Sequence, residues 1–299
     1  MRWSRRVADP IALDTAWLKA NPLPDHHDNI DKNGRGRVLV IGGCRRVPGG
    51  MLLTAEAAFR AGAGKVTIAT IASSAIPIGI VFPACAVVSL PETASGEIAP
   101  ESADLLLAEM ANHDAIVFGP AMVDEEIVRT LLTALLPALP DDMFLLLDAF
   151  ALRAAADHAD AIFARGNHTV LTPHEGELAA MLGADKGDVS RDPLAALTEA
   201  AERFGAAVMV KGATSHLMAE GTCLAYAGGG LGLAVSGSGD VLAGLIAGLG
   251  AQGLPPLQAA AWGIWLHGEA GRRLSETMGP IGYLARELAP LAPGLMRGV

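Results

Sequence analysis

The stretch Arg37–Thr70, RVLVIGGCRRVPGGMLLTAEAAFRAGAGKVTIAT, decides the fold. It opens on a short apolar run, RVLVI, closed by Gly42 and Gly43, and ends on a second run, KVTIAT. Between them, Met51–Ala61 sets apolar residues at helical spacing. Two nearly continuous apolar strands joined by a helix read as a strand–helix–strand unit. Parallel strands of this kind are buried on both faces.

The alternation continues outward. ACAVVSL, AIVFGP, FLLLDA, TVLTP and AAVMVKG are further apolar runs, with helical segments at Ser102–Ala111, Glu125–Leu136 and Leu194–Phe204. After Gly228 only helices are expected: Val241–Ala251, Leu257–Arg273 and a weaker one near Tyr283–Leu288. The pattern predicts an α/β fold, a mostly parallel central sheet with helices on both faces. No linker and no repeat interrupts it, so residues 1–299 read as one domain. The first thirty residues are polar and are expected to wrap the surface. Val66–Pro91 carries no charge, but Pro77, Gly79 and Pro83 break it into two buried strands around a turn or short helix, too interrupted to span a membrane.

Composition narrows the function. Of 299 residues, 51% are apolar and 18% charged, which argues for a packed core and against disorder. The net charge of −10 excludes a general binder of nucleic acid or anionic membrane, while a locally positive pocket for a small anion stays open. Cys44, Cys85 and Cys223 are odd in number and widely spaced, so neither a disulfide framework nor a zinc site is expected, and a reducing cytoplasm fits. MRWSRRVADP is not followed by an apolar segment, so it does not read as a secretory signal. His26, His27 and His267 lack ligand spacing, and no protein-held metal is assigned.

Several strands end on a residue of another kind: Gly42 and Gly43, Gly119, Asp148, Thr172, and Lys211 with Gly212. In an open parallel sheet these ends share one edge, where ligands bind. Taken singly each is a turn residue; together they mark a site. GGCRRVPGG follows a strand but lacks the G-x-G-x-x-G spacing, and no Walker A motif occurs, which disfavours a dinucleotide dehydrogenase or a P-loop enzyme. Its Arg45 and Arg46 could meet an anion or simply solvent.

AVSGSGDVLAGLIAGLG, Ala234–Gly250, carries the chemistry. Leu242, Leu245, Ile246 and Leu249 define a buried helix face, with the helix start at Gly239–Asp240. The first amides of a helix have no internal partner and the dipole is positive there. Gly237, Ser238 and Gly239 would form an anion hole for a transferring phosphoryl group, and Asp240 would take the proton of an attacking hydroxyl. The bland reading makes Asp240 a cap and the glycines a turn. LTPHEGEL reads as a capping box of Thr172 and Glu175 with Pro173 in the first turn, which leaves His174 facing the ligand edge. Lys211 ends an apolar strand and must reach solvent or an anion. The run Lys211, Gly212, Ala213, Thr214 and Ser215 suits a nucleotide phosphate or ribose.

GSGDVLAGLIAGLGAQG, LTPHEGEL, VMVKGA, GAGKVTIAT, PGG before a helix and WGIWLHGEAG occur in one order. Together they resemble the ADP- or ATP-dependent NAD(P)H-hydrate dehydratases, carbohydrate-kinase-like members of the ribokinase superfamily, from about Lys32 to Gly271. The resemblance implies a ribokinase-like three-layer fold. It implies repair of NADHX and NADPHX, the hydrated reduced cofactors, by phosphorylation of the added hydroxyl and elimination of phosphate. It implies ADP or ATP with Mg²⁺, nucleotide contacts at Gly239 and Lys211–Ser215, and hydrate contacts at Gly50, Gly119, His174 and Asp240. An epimerase, often fused in such proteins, would here be a separate protein. A homo-oligomer is expected, with the apolar C-terminal helices as a possible interface.

The chain departs from the family pattern at four places. GPAM puts Ala121 where G-P-G is usual, LDAF puts Phe150 where a second Asp is usual, Val235 replaces Thr, and no Asn stands near Gly230. Two further readings therefore stay open: a hydroxyl kinase that stops at the phosphorylated product, and a nucleotide-binding relative without turnover.

Overall fold

The computed structural model describes residues 9–25 and 31–299. The basic N-terminal residues and the His26–His27 pair lie outside them.

The seven apolar runs all form strands. They are β2 (Arg37–Ile41), β3 (Lys65–Ile71), β4 (Ala86–Leu90), β5 (Ala115–Phe118), β6 (Phe144–Leu147), β7 (Thr169–Leu171) and β8 (Ala207–Val210). Three more strands complete the sheet: β1 (Ile11–Ala12), β9 (Ser215–Ala219) and β10 (Thr222–Tyr226). The order is β1-β10-β9-β8-β7-β6-β5-β2-β3-β4. From β4 to β8 every pairing is parallel; β9 and β10 add an antiparallel hairpin, and β1 closes the edge parallel to β10.

The helices are α1 (Thr15–Ala20), α2 (Gly50–Arg60), α3 (Ala72–Val81), α4 (Ala103–Met110), α5 (Glu125–Leu135), α6 (Phe150–Ala155), α7 (Ala159–Ala164), α8 (Glu175–Leu182), α9 (Lys186–Arg191), α10 (Pro193–Phe204), α11 (Ser238–Gly250), α12 (Pro256–Thr277) and α13 (Ala292–Met296). Strand side chains alternate between two cores. Val38, Val40, Val117 and Leu146 face α2, α11 and α12; Leu39, Ile41, Phe118 and Leu147 face α5, α6, α8 and α10. The result is a three-layer helix–sheet–helix sandwich, as the sequence pattern requires.

Five expectations need correction. The N-terminal segment is more than a polar wrap: Leu13 and Leu18 are buried, and β1 is a sheet strand. The run at β4 is half-exposed because it lies at the sheet edge. Near the C-terminus, Tyr283–Leu288 forms only a single tight turn at Ala285–Glu287. The helix α11 is buried on all sides, not on one face. Its glycines explain this: an added Cβ at Gly244 would lie 2.2 Å from the Thr54 carbonyl oxygen, and at Gly248 2.5 Å from that of Ala58. So α11 packs backbone to backbone on α2. The long helix α12 is likewise buried against the sheet, so its apolar residues are not free for an interface.

Candidate active site

The main-chain ladder carries each strand-end residue to its place. Gly42 N–H donates to Ala69 O, Gly119 N–H to Ile41 O, Asp148 N–H to Phe118 O and Thr172 N–H to Leu147 O. Because these strands are parallel, their ends gather on one edge. Gly119 adopts a left-handed φ of +114°, and a Cβ there would sit 2.2 Å from Asp148 O. Only glycine lets the β5 and β6 ends approach so closely.

Asp148 is buried and anchors a charge cluster. Its Oδ1 accepts from Thr172 Oγ1 at 2.6 Å and from Lys211 Nζ at 2.9 Å. Thr172 therefore serves Asp148 and not a helix cap. The capping box stands two residues later than the sequence suggested: His174 caps α8, its Nδ1 accepting from the Gly176 and Glu177 amides, while Glu177 accepts from His174 N–H. The chain stays extended through His174 because Pro173 O accepts from Lys211 N–H, and His174 bridges Lys211 as one more parallel pair. His174 thus has a structural task, yet its side chain remains 60% exposed, with Nε2 3.6 Å from Glu177 Oε1. Burial raises the Glu177 carboxyl above its ordinary range.

Lys211 and Asp148 lie under the start of α11. A Cβ at Gly239 would be 3.7 Å from Lys211 Nζ and 3.8 Å from Asp148 Oδ2. The helix begins at Ser238, with Gly237 as its cap at a φ of +88° and no side-chain capping bond. Ser238 N–H donates to Val235 O, so this amide is not part of an open anion hole. Its hydroxyl turns inward to His267 Nε2 at 2.8 Å. Burial drives the His267 imidazole down to about 4, so it is neutral at ordinary pH. Among the described residues, the Gly239 and Asp240 amides find no backbone acceptor.

Asp240 is the group that these surroundings leave unbalanced. Burial, and then the charge of Asp148, push its carboxyl up to about 7, against the opposing pull of Lys211. Among the described residues no hydrogen bond or ion pair reaches it. Its Oδ2 lies 3.6 Å from the Cβ position of Gly50, at the first turn of α2. Asp240, Gly239, Lys211, Asp148, Thr172, His174 and Gly50 thus form one neighbourhood. Gly212 and Ala213 run on from Lys211 as an exposed turn, and Thr214 and Ser215 lead into β9.

The departures are structural facts as well. Ala121 and Ala149 both adopt left-handed φ values, +55° and +54°, which are uncommon for residues with a Cβ. Phe150 packs on the core with the Arg153 guanidinium 5.7 Å over its ring. Arg45 is not free for an anion, because it pairs with Glu92, which also accepts from Ser73 N–H. Sequence reasoning named Asp148 only as a strand end and missed its central place. The signal was a carboxylate closing a fully apolar strand. The Ser238–His267 contact had no sequence signal, since α11 and α12 meet only in the fold.

Among the described residues no His, Cys, Asp or Glu cluster of three could hold a metal ion, and no helix is long and apolar enough to cross a membrane. All three cysteines are free and buried.

Comparison with known proteins places the chain. The model of the NAD(P)H-hydrate dehydratase family matches residues 38–293. An ADP-dependent (S)-NAD(P)H-hydrate dehydratase of Xanthomonas campestris pv. campestris is 40% identical, covering 95% of both chains. One of Neisseria meningitidis serogroup B is 35% identical over 94% of this chain and 91% of its own. The chain spans only about half the length of the bifunctional NAD(P)H-hydrate repair enzymes that it also resembles, such as that of Moorella thermoacetica, where it covers 54% at 34% identity. Among solved structures, a ribokinase-like superfamily protein of Enterococcus faecalis superposes with a TM-score of 0.81 at 24% identity, covering 92% of each chain. An ADP/ATP-dependent NAD(P)H-hydrate dehydratase of Bacillus subtilis gives 0.78 at 24% identity, covering 97% and 98%. With its ribokinase-like three-layer fold, the chain belongs to the NAD(P)H-hydrate dehydratase family.

Proposed function

We propose that this enzyme converts the S-epimer of NADHX or NADPHX to NADH or NADPH, with ADP or ATP as phosphoryl donor. The observation that carries the reading is the Asp240 carboxyl, pushed to about 7, beside two unpartnered amides at the positive end of α11. A base poised near neutrality can take the hydroxyl proton as the oxygen attacks phosphorus. The amides of Gly239 and Asp240, with Lys211, stabilise charge on the transferring group. The oxygen–phosphorus bond to the substrate forms as the bond to AMP or ADP breaks. The ring nitrogen lone pair then expels phosphate, and loss of a proton from the adjoining ring carbon completes the dehydration. Gly50, Gly119 and His174 hold the hydrate; Lys211–Ser215 and Gly239 hold the nucleotide.

Mg²⁺ fits only as an ion that arrives on the nucleotide, which needs few protein ligands. When bound it neutralises phosphate charge, and Asp148 Oδ2, turned toward Gly239, is the carboxylate oxygen that would face it. We place the enzyme in the cytoplasm, its dehydratase domain working beside an epimerase activity. Its proposed self-association surface is the exposed row Ile76, Ile80 and Val81 on α3, next to the edge strand β4.

The test is to incubate the protein with NADPHX, Mg²⁺ and either nucleotide and follow NADPH absorbance. Recovery with either supports the reading. No recovery with both overturns it, and a stable phosphorylated product would point to a kinase instead.

A further inference from the structure

The first turn of α11 has two open amides and no cap. In an ordinary helix the capping side chain accepts from the second or third amide. Here those are the amides of Gly239 and Asp240, the two that phosphoryl transfer needs free. The fold excludes a capping side chain in two ways. Gly237 holds a φ of +88°, which strains a residue with a Cβ, and a Cβ there would lie 2.4 Å from Leu53 Cδ1. A turn without a cap frays, because its first amides have no partner inside the helix. One tie holds this turn without touching the open amides. Ser238 is buried, and its hydroxyl forms a hydrogen bond of 2.8 Å with His267 Nε2. The helix that carries His267 is locked on either side of it. A Cβ on Gly263 would lie 2.4 Å from Ile246 Cγ1 in α11, and one on Gly268 would lie 2.1 Å from Tyr226 Cε1 in β10. The imidazole is neutral, so the tie sets no second cation beside Lys211.

We propose that His267 is a positioning residue for phosphoryl transfer: from α12 it anchors Ser238, and so the first turn of α11, in place of a capping side chain, and leaves the Gly239 and Asp240 amides open to an anion. The role rests on the reading of that turn as the phosphoryl site. The anchor stands one residue before the open amides, so it fixes them without bonding either. The first bond inside the helix runs from Val241 N–H to Gly237 O at 3.1 Å. Without the anchor the turn opens at that bond, and the two amides and the Asp240 carboxyl move with it. These groups meet charge and a proton that appear only as the phosphoryl group transfers. Their displacement therefore slows the reaction more than it weakens the binding of either substrate.

Four proteins test this: the wild type, Ser238→Ala, Ser238→Thr and His267→Leu. Kinetics with NADPHX, Mg²⁺ and ADP give kcat and KM for each. Ser238→Ala and His267→Leu are expected to lower kcat by about 10- to 100-fold, the scale of a catalytic group misplaced by about 1 Å, with both KM values kept. Ser238→Thr, which keeps the hydroxyl, is expected to keep kcat. Hydrogen exchange of the Val241–Leu245 amides, read without substrate, is expected to quicken about fivefold in Ser238→Ala and His267→Leu, the worth of a lost helix cap. This second readout tests the anchor whether or not NADPHX is turned over. With the wild type active, an unchanged kcat in Ser238→Ala overturns the positioning role, and so does an equal loss in Ser238→Thr. Unchanged exchange in both Ser238→Ala and His267→Leu overturns the anchor itself.

Discussion

The two ends of the sheet both carry ion pairs, and they handle charge in opposite ways. At the amino end, Arg37 meets Asp114 through Nε at 3.0 Å and Nη2 at 2.8 Å, and the Arg37 amide adds a third bond at 2.9 Å. Burial works to raise the Asp114 carboxyl, but the Arg37 hydrogen bonds prevail and it stays lowered. The pair lies at a cavity of about 740 Å³ that Asp114, His113 and His168 help to line. At the carboxyl end, one cation, Lys211, serves Asp148 while Asp240 stands by without a partner, and Asp240 is raised. A pair that balances its own charges holds a fold together. A cluster with one carboxyl in excess retains a proton near neutral pH, which is what acid–base chemistry uses.

The largest effect should follow from removing the excess group. Asp240→Asn is expected to lower kcat about 1000-fold, within the range for loss of a positioned base, with nucleotide affinity kept. Steady-state kinetics and nucleotide titration check this. The same change should stabilise the protein at high pH. Folded Asp240 keeps its proton up to about 7, whereas an unfolded chain releases it near its ordinary value of about 3.9. In that window the folded state binds more protons, so stability falls as pH rises. The variant lacks this loss, so it should melt above the wild type at pH 8 and no longer do so at pH 4.

Removing the cation comes next. Lys211→Met leaves Asp148 buried without its counter-ion, with an expected loss of about 2 kcal/mol or more in urea unfolding. It also takes away the pull that holds Asp240 down. The rise of kcat with pH, expected near 7 with Lys211 in place, should therefore move upward. A midpoint that stays or falls would remove Lys211 from the electrostatics of the base.

The smallest effect belongs to the amino end. Asp114→Asn should cost under about 1 kcal/mol, as part-exposed pairs do, and leave kcat/KM unchanged. A large loss of activity there would erase the contrast between the two ends.

What could be read from the sequence follows the same division. Seven strands were legible because parallel strands buried on both faces are apolar throughout, and their punctuation marked the ligand edge. The hairpin β9–β10 was not, since SHLMA and TCLAY carry no strong period and follow a run that reads as a binding loop. Asp240 was legible from two glycines before a helix. Its proton affinity was not, because Asp148 is ninety-two positions earlier in the chain and meets it only through the fold. His174 could be seen but its capping role could not, because the sequence does not show that the ladder extends the chain through Pro173.

The strand β1 has a consequence for how the molecule is made. Ile11 and Ala12 pair with Leu224 and Ala225, and Trp262 Nε1 bonds Asn21 O. A ribosome adds about 5–20 residues each second, so the segment emerges roughly 10 to 40 s before its partner strand exists. Until then it has nowhere to dock, and the growing sheet keeps that edge open. A segment synthesised well before its partner is thus fitted late. A fusion placed before it would bear on the final closing of the sheet, leaving the earlier parallel core to assemble undisturbed.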